Sequence, residues 1–405
     1  MINLETPKKF GPLVARAHQV ATEVLRPISR KYDRAEHAYP KELDMLAALI
    51  DGTNAGSDMG APGATGVRRD ASANGEQTGN RNGANLSTVL GVIEMCWGDV
   101  GLLLTLPRQG LGNSAIASVA TPEQLERYEG RWAAMAITEP EAGSDSAAIR
   151  TTATLDGDHY VLNGEKIFVT SGERADLVVV WASLDRSKGR AAIKSFVVER
   201  DNPGLILERL EKKLGIRASD TANFRLENCR VHKDDMLGSP EIDSKQGFAG
   251  AMQTFDNTRP LVAGMAVGVT RAALEETRRR LADVGVAIDY DRPAHCQHAA
   301  AARFLQMEAD YEAARLMTLH AAWMADNSRP NSLQASMAKA KAGRTAVDAT
   351  LGCVELCGGV GYGEDELLEK WARDAKILDI FEGTQQIQLL IVARQLLRKT
   401  SAELR

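Results

Sequence analysis

The apolar positions of this chain change period twice along its length. Between residues 6 and 50, Phe10, Leu13, Ala17, Val20, Ala21 and Val24 recur at three- and four-residue spacing, which predicts a helical stripe. Thr6-Pro7 suits an N-cap and first turn, and Pro27 and Pro40 punctuate the region. From Asp51 to about Gly83 the chain is rich in Gly, Asn, Ala and Asp and nearly free of large apolar residues, so it predicts a mobile loop that buries no core. Helical spacing resumes near Leu86 and runs to about Tyr128.

Short strands then take over, at Thr151–Leu155, Tyr160–Leu162, Lys166–Val169, Leu177–Trp181 and Ser195–Val198. Asp156-Gly157 and Asn163-Gly164 both read as hairpin turns, because each pair tolerates positive φ. After Gln246 the helical period returns through Phe255, Val262, Val269, Leu274, Phe304, Met307, Tyr311 and Ala314. The pattern predicts an α+β chain: an N-terminal all-α domain over 1–132, a middle antiparallel β domain over 133–241, and a C-terminal helical bundle over 242–405. No internal repeat is visible.

Composition narrows the function classes. A chain of 405 residues has room for two or three packed units and an enclosed cofactor, and a net charge of -5 with 25% charged residues argues against a nucleic-acid binder. Five scattered cysteines make a disulfide framework an unsuitable reading and favour a reducing compartment. The opening MINLETPKKF has no apolar signal core and no charge-free run spans a bilayer, so a cytoplasmic protein without membrane insertion is expected.

Candidate chemistry is weak when each motif stands alone. The loop Thr138-Glu139-Pro140-Glu141-Ala142-Gly143-Ser144-Asp145 can offer hydroxyls and backbone N–H groups to a planar ring or a phosphate, or be a plain polar turn. Thr170-Ser171-Gly172 ends a strand and is equally ambiguous. Cys353 and Cys357 lie four residues apart, and His295 and His298 flank Cys296, yet core packing accounts for both sets, so no metal site is expected.

Four ordered segments change that balance: TEPEAGSD (138–145), NGEKIFVTSG (163–172), FDNTRP (255–260) and RDAKILDIFEGTQQIQLLIVAR (373–394). Together with LGIRASDT (214–221) and CGGVGYG (357–363), they closely resemble the acyl-CoA dehydrogenase family. The resemblance implies an N-terminal helical domain, a middle β domain and a C-terminal four-helix bundle. It also implies FAD as cofactor and α,β-desaturation of an acyl-CoA thioester to a trans-2-enoyl-CoA, with electrons passing to an electron-transfer flavoprotein.

By that resemblance Glu382 is the base that removes the α-proton, and its backbone N–H helps polarise the thioester carbonyl. Ile380 and Phe381 form an apolar wall that raises its pKa, Gly383 lets the backbone approach a ligand, and Thr384 can cap a helix over Gln385–Leu397, whose N-terminus pulls the pKa down. The alternative base position of some family branches falls on Thr258, which carries no carboxylate. Met135, Ile137, Thr138 and Ser144 are implied to border the flavin, with Phe168, Val169 and Thr170 along its other edge, and Thr384 and Gln386 near its ribityl or pyrophosphate part. Asp256 and Arg259 are implied to hold the CoA portion, and Ser144, Gly383 and Arg394 to line the substrate path.

Three departures cluster on one function. Homotetrameric members grip a neighbour's FAD with Arg-x-x-Phe-Gly, a following Gln, and Gln-x-x-Gly-Gly; here Gly285-Val286-Ala287-Ile288-Asp289-Tyr290-Asp291-Arg292, His298 beside Gln297, and Glu355 stand there instead. A carboxylate beside a pyrophosphate is repelled. The expectation is therefore an oligomer, an α2β2 assembly with a related chain. A non-catalytic or half-site subunit is the alternative, and an oxidase or monooxygenase on the same scaffold a further one. The acyl group is left open.

Overall fold

The computed structural model describes residues 6–54, 82–107, 111–242, 249–400 and 403. The mobile loop expected over 51–83 falls mostly on residues 55–81 and so lies outside the described residues. A short turn at Lys8–Phe10, capped by Pro7, leads into α1 (Gly11–Val20), a π-helical segment at Ala21–Leu25, and α2 (Arg26–Arg34). Pro27 sits in the first turn of α2, where a missing N–H costs little. After Pro40 come α3 (Glu42–Asn54), α4 (Ala84–Gly98), α5 (Val100–Leu103), α6 (Leu111–Val119) and α7 (Pro122–Arg127).

Nearly every residue of α4 is buried, so it forms the centre of the helical core and not an amphipathic cover. Its N-terminal donors are satisfied from far away: the Asp326 carboxylate accepts from the backbone of Gly83 (2.7 Å), Asn85 (2.9 Å) and Leu86 (3.1 Å).

The middle of the chain folds into β1 (Ala133–Ala136), β2 (Thr152–Asp156), β3 (His159–Thr170), β4 (Leu177–Ser183), β5 (Ile193–Glu199), β6 (Leu205–Leu210), β7 (Thr221–His232) and β8 (Met236–Leu237). The strand order is β6-β7-β3-β2-β4-β5-β8, with β1 beside β4. Every residue of β4 is buried, because both faces of the sheet are covered there.

Two sequence expectations need correction. The sheet is not purely antiparallel, since β1 pairs with β4 in parallel and β2 touches β4 in parallel at Thr152 and Ser183. The long excursion from β1 through the β2–β3 hairpin supplies the crossover that parallel pairing requires. Nor is Asn163-Gly164 a hairpin: β3 runs through it, paired along its length with β7 and bulged between Leu162 and Gly164. Gly164 is needed there because a Cβ would collide with the Thr151 hydroxyl, and the Asn163 side chain is taken by the Asn228 N–H (2.8 Å). Asp156-Gly157 does form a hairpin, with Gly157 at φ +62 and Asp156 opposite His159.

The C-terminal part is α8 (Ala249–Asp283), α9 (Ala299–Asp326), α10 (Ser332–Tyr362, broken at Gly358), α11 (Leu368–Ala375) and α12 (Gln385–Leu397). Small residues, among them Ala335, Ala338, Ala342, Gly343 and Ala346, are buried along α10 and let its neighbours pack close. The helical order at both ends and the sheet between them match the α+β architecture expected. Among the described residues the five cysteines are unpaired, no group of three metal-ligating side chains assembles, and no helix is long and apolar enough to cross a membrane.

Candidate functional site

The segment between α11 and α12 makes a tight reversal. Glu382 and Gly383 both have positive φ, at +56 and +89, which turns the chain sharply at the residue named as base. A non-glycine residue in that region is strained, and such strain persists only where its surroundings hold it. Here Gln388, fully buried one turn into α12, donates its side-chain amide to the carbonyls of Glu382 (3.0 Å) and Gly383 (3.2 Å). A Cβ on Gly383 would strike that amide, so glycine is required by the chain's own packing and not only by a ligand. The Thr384 hydroxyl accepts from the Ile387 N–H at 3.3 Å and caps α12 over the span expected.

The Glu382 carboxylate accepts from the hydroxyl of Thr258 on α8 at 2.8 Å. Thr258, which carries no carboxylate of its own, therefore serves that of Glu382. Burial raises the Glu382 pKa, while the Thr258 hydrogen bond and the charges of Arg259 and Lys339 pull the other way; burial wins. The residue as a whole is half-buried. Lys339 on α10 donates to the Gly383 carbonyl at 2.7 Å. Neither Lys339 nor Gln388 was singled out by sequence reasoning, since a lysine in an alanine-rich helix and a glutamine among several carry no local signal.

The second candidate surface lies on the sheet. The Ile167 N–H donates to the Thr138 carbonyl at 2.9 Å, which brings Met135, Ile137 and Thr138 alongside Phe168, Val169 and Thr170. Phe168 sits in a bulge of β3 at φ +57 and is 58% exposed, while the next residue, Val169, is buried. Ile137 is buried, Met135, Thr138 and Thr170 are half-buried, and Ser144 is exposed on the loop. An exposed aromatic residue and part-exposed hydroxyl residues near the end of β3 suit a planar heterocycle.

A buried ion pair fixes this edge. The Glu139 carboxylate accepts from Lys166 Nζ (2.7 Å), the Thr151 N–H (3.0 Å) and the Arg150 N–H (2.5 Å), pinning both ends of the 138–151 loop to β3. Burial pushes the Lys166 pKa down to about 8 against the pull of Glu139. Replacing Lys166 by Met is expected to cost about 3 kcal/mol, because it strands a buried carboxylate. Loss of thermal stability of that order, read by circular dichroism, checks it.

The remaining expected residues are spread out. Arg259 is buried and acts on Glu382 through its charge, Gln386 and Arg394 are exposed on α12, and the side chain of Asp256 lies outside the described residues. At the three positions where the sequence departs from the family pattern, polar groups are engaged within the chain. Glu355 is ion-paired to Arg303, and the Gln297 side chain binds the Asp289 N–H (3.0 Å) and carbonyl (2.7 Å) and the Arg292 carbonyl (2.7 Å).

A helix–sheet–helix chain that sets a hydrogen-bonded carboxylate on a strained turn can carry out acid–base chemistry on a bound ligand. Residues 134–229 match the family model for the acyl-CoA dehydrogenase middle domain, and residues 245–397 the model for the C-terminal domain. The chain is 35% identical over 331 residues to a short-chain specific acyl-CoA dehydrogenase of Clostridium acetobutylicum, spanning 80% of this chain and 85% of that one. Butyryl-CoA dehydrogenase from Megasphaera elsdenii superposes with a TM-score of 0.80 at 29% identity, covering 98% of this chain and all (100%) of that one. A chain described under the electron transferring flavoprotein of Acidaminococcus fermentans, in connection with flavin-based electron bifurcation, reaches a TM-score of 0.82 at 32% identity, covering 98% and 100%.

This chain belongs to the acyl-CoA dehydrogenase family. It is an oxidoreductase acting on acyl-CoA with FAD as cofactor, and the exposed Phe168, on a strand bonded next to Thr138, is compatible with a flavin there.

Proposed function

We propose that this protein desaturates an acyl-CoA thioester between Cα and Cβ, with Glu382 taking the α-proton. The observation that carries the reading is the Glu382 carboxyl itself: enclosed, bonded by Thr258, raised in pKa by burial, and set on a left-handed turn. A carboxylate whose pKa is raised removes a proton more effectively than a fully solvated one. FAD, when bound, accepts the β-hydrogen as hydride. The Glu382 N–H points the thioester carbonyl for enolisation as an oxyanion donor would. Phe168, Val169 and Thr170 would hold one edge of the flavin, Met135, Ile137, Thr138 and Ser144 another, and Thr384 and Gln386 its ribityl and phosphate part. Asp256 and Arg259 would serve the CoA portion, with Ser144, Gly383 and Arg394 along the substrate path.

The electron acceptor we assign is an electron-transfer flavoprotein, which the likeness to the Acidaminococcus chain supports. The assembly we assign is α2β2 with a related chain, in the cytoplasm. The internal Arg303–Glu355 pair supports it, because a guanidinium and a carboxylate already neutralised by each other are poorly disposed to grip a neighbour's pyrophosphate. The alternative, a half-site subunit that completes a partner's site without turning over, predicts an idle Glu382.

Purifying the chain alone and with a co-encoded relative, then adding acyl-CoAs anaerobically, tests both points. Bleaching of the flavin band is expected, with full FAD content only in the mixed assembly. Bleaching by none of the acyl-CoAs would sink the dehydrogenase reading, and a fully active homotetramer with one FAD per subunit would sink the α2β2 reading.

A further inference from the structure

Lys339 is among the largest side chains that the fold encloses completely, at 1% exposure, in the middle of α10. Among the described residues its ammonium forms no ion pair and donates instead to one main-chain carbonyl, that of Gly383, at 2.7 Å. Burying an ammonium is costly, and a fold seeking only a tie to a carbonyl could use a neutral donor, as Gln388 does from the opposite side. One turn further along the same face, Gly343 brings the α10 backbone against Leu378, where an added Cβ would lie 2.8 Å from the carbonyl oxygen. α10 and the segment leading to Glu382 therefore touch with no slack, and the lysine is delivered to the turn by a rigid element.

The charges around this ammonium come from three directions. Burial pushes its pKa down to about 8; Asp379, before the turn, and Glu382, in it, favour the charged form, and Arg259 from α8 opposes it. The influence is mutual, since Lys339 favours ionisation of Glu382 together with Arg259 and the Thr258 hydroxyl, while Gln388 from α12 faces the turn as a neutral donor. The cation and the base thus belong to one electrostatic unit, joined through the Gly383 carbonyl.

We propose that Lys339 is a positioning residue for the base, clamping the left-handed Glu382–Gly383 turn through the Gly383 carbonyl and holding a positive charge beside the carboxyl so that Glu382 is ionised during turnover. The inference rests on Glu382 being the base. It assigns Lys339 two separable jobs, one geometric and one electrostatic.

Three replacements separate them in the FAD-loaded enzyme, assembled with its related chain. K339M removes both jobs, K339Q keeps a neutral donor for the carbonyl, and K339R keeps the charge. Without the cation the base protonates more readily, so the acid limb of the kcat profile in K339M and K339Q is expected to move up by about one pH unit, a loss of up to about tenfold at pH values on that limb. K339R is expected to restore the limb. Backbone amide exchange over residues 381–388, which does not depend on turnover, is expected to quicken in K339M and stay near the wild-type rate in K339Q.

Superposed pH profiles in K339Q and the parent, with E382Q inactive, would overturn the electrostatic job of Lys339, and unchanged amide exchange over 381–388 in K339M would overturn its clamping job. Full activity in E382Q would overturn the base assignment and this inference with it. If K339M does not fold, K339Q decides the electrostatic part, because it retains the hydrogen bond and most of the volume.

Discussion

Glu382→Gln is expected to lower kcat by about a thousandfold or more while FAD content and fold are retained. A positioned general base contributes on the order of 10^2 to 10^4 in rate. The amide keeps the size of the carboxyl and can still accept from the Thr258 hydroxyl, so the local contacts survive. The pH dependence carries the same signature. A carboxyl whose folded pKa lies above its unfolded value contributes stability at low pH that is lost as pH rises through the folded pKa, so at neutral pH the ionised Glu382 is a burden on the fold. E382Q is therefore expected to melt at the same temperature as the parent or higher. For the same reason the acid limb of the parent's kcat profile should lie above the ordinary carboxylate range. A kcat within tenfold of the parent's would rule out Glu382 as the base, and a fall in melting temperature with loss of FAD would mean that the substitution had disturbed the fold.

The largest stability effect is expected from Lys370→Met. Lys370, on α11, is buried between Asp99 (2.7 Å) and Asp374 (2.5 Å). Asp99 also accepts from the Ser29 hydroxyl and caps α5, and Asp374 accepts from the Ile216 N–H at 2.5 Å. One ammonium thus ties together α2, the start of α5, the bundle, and the Leu214–Thr221 loop that leads into β7. Burial alone would lower the Lys370 pKa, but the two carboxylates more than offset it and keep the charge in place; burial likewise raises Asp374 against the pull of Lys370.

Removing one partner from such a cluster leaves uncompensated buried charge, so K370M is expected to cost about 5 kcal/mol, at the upper end for broken buried pairs. Thermal and urea unfolding check it. Adding Asp99→Asn to K370M should recover part of the loss, since the second change removes one of the stranded charges. A double variant no more stable than K370M would show that the loss came from packing. Because the cluster joins the sheet to both helical parts, the single variant should also quicken amide exchange around Ile216.

Periodicity carried the coarse architecture well where a helix or strand shows a single face. The stripe Phe10–Val24 is of that kind, the unbroken apolar run Leu177–Trp181 marks a strand buried on both faces, and α12 begins at the Thr384 cap because an N-cap is a local device. It failed where tertiary contacts decide. Asn163-Gly164 has turn chemistry, but β7 holds β3 straight and Thr151 occupies the space that the glycine leaves. β7 itself, the longest partner of β3, mixes charged and apolar residues in Thr221–His232 and went unrecognised as a strand.

The candidate site divides in the same way. Residue order alone was enough to indicate the α–β–α plan and, through its motifs, to single out Glu382, the Thr138–Asp145 loop and the Phe168–Thr170 strand end, because these are contiguous stretches whose composition is their signal. What the carboxylate meets was decided only by the tertiary structure. Thr258, Lys339 and Gln388 come from three different helices, 124, 43 and 6 residues from Glu382, and converge on one turn. Burial, positive φ and the balance of charges that set a pKa are properties of that convergence. No segment of chain contains them.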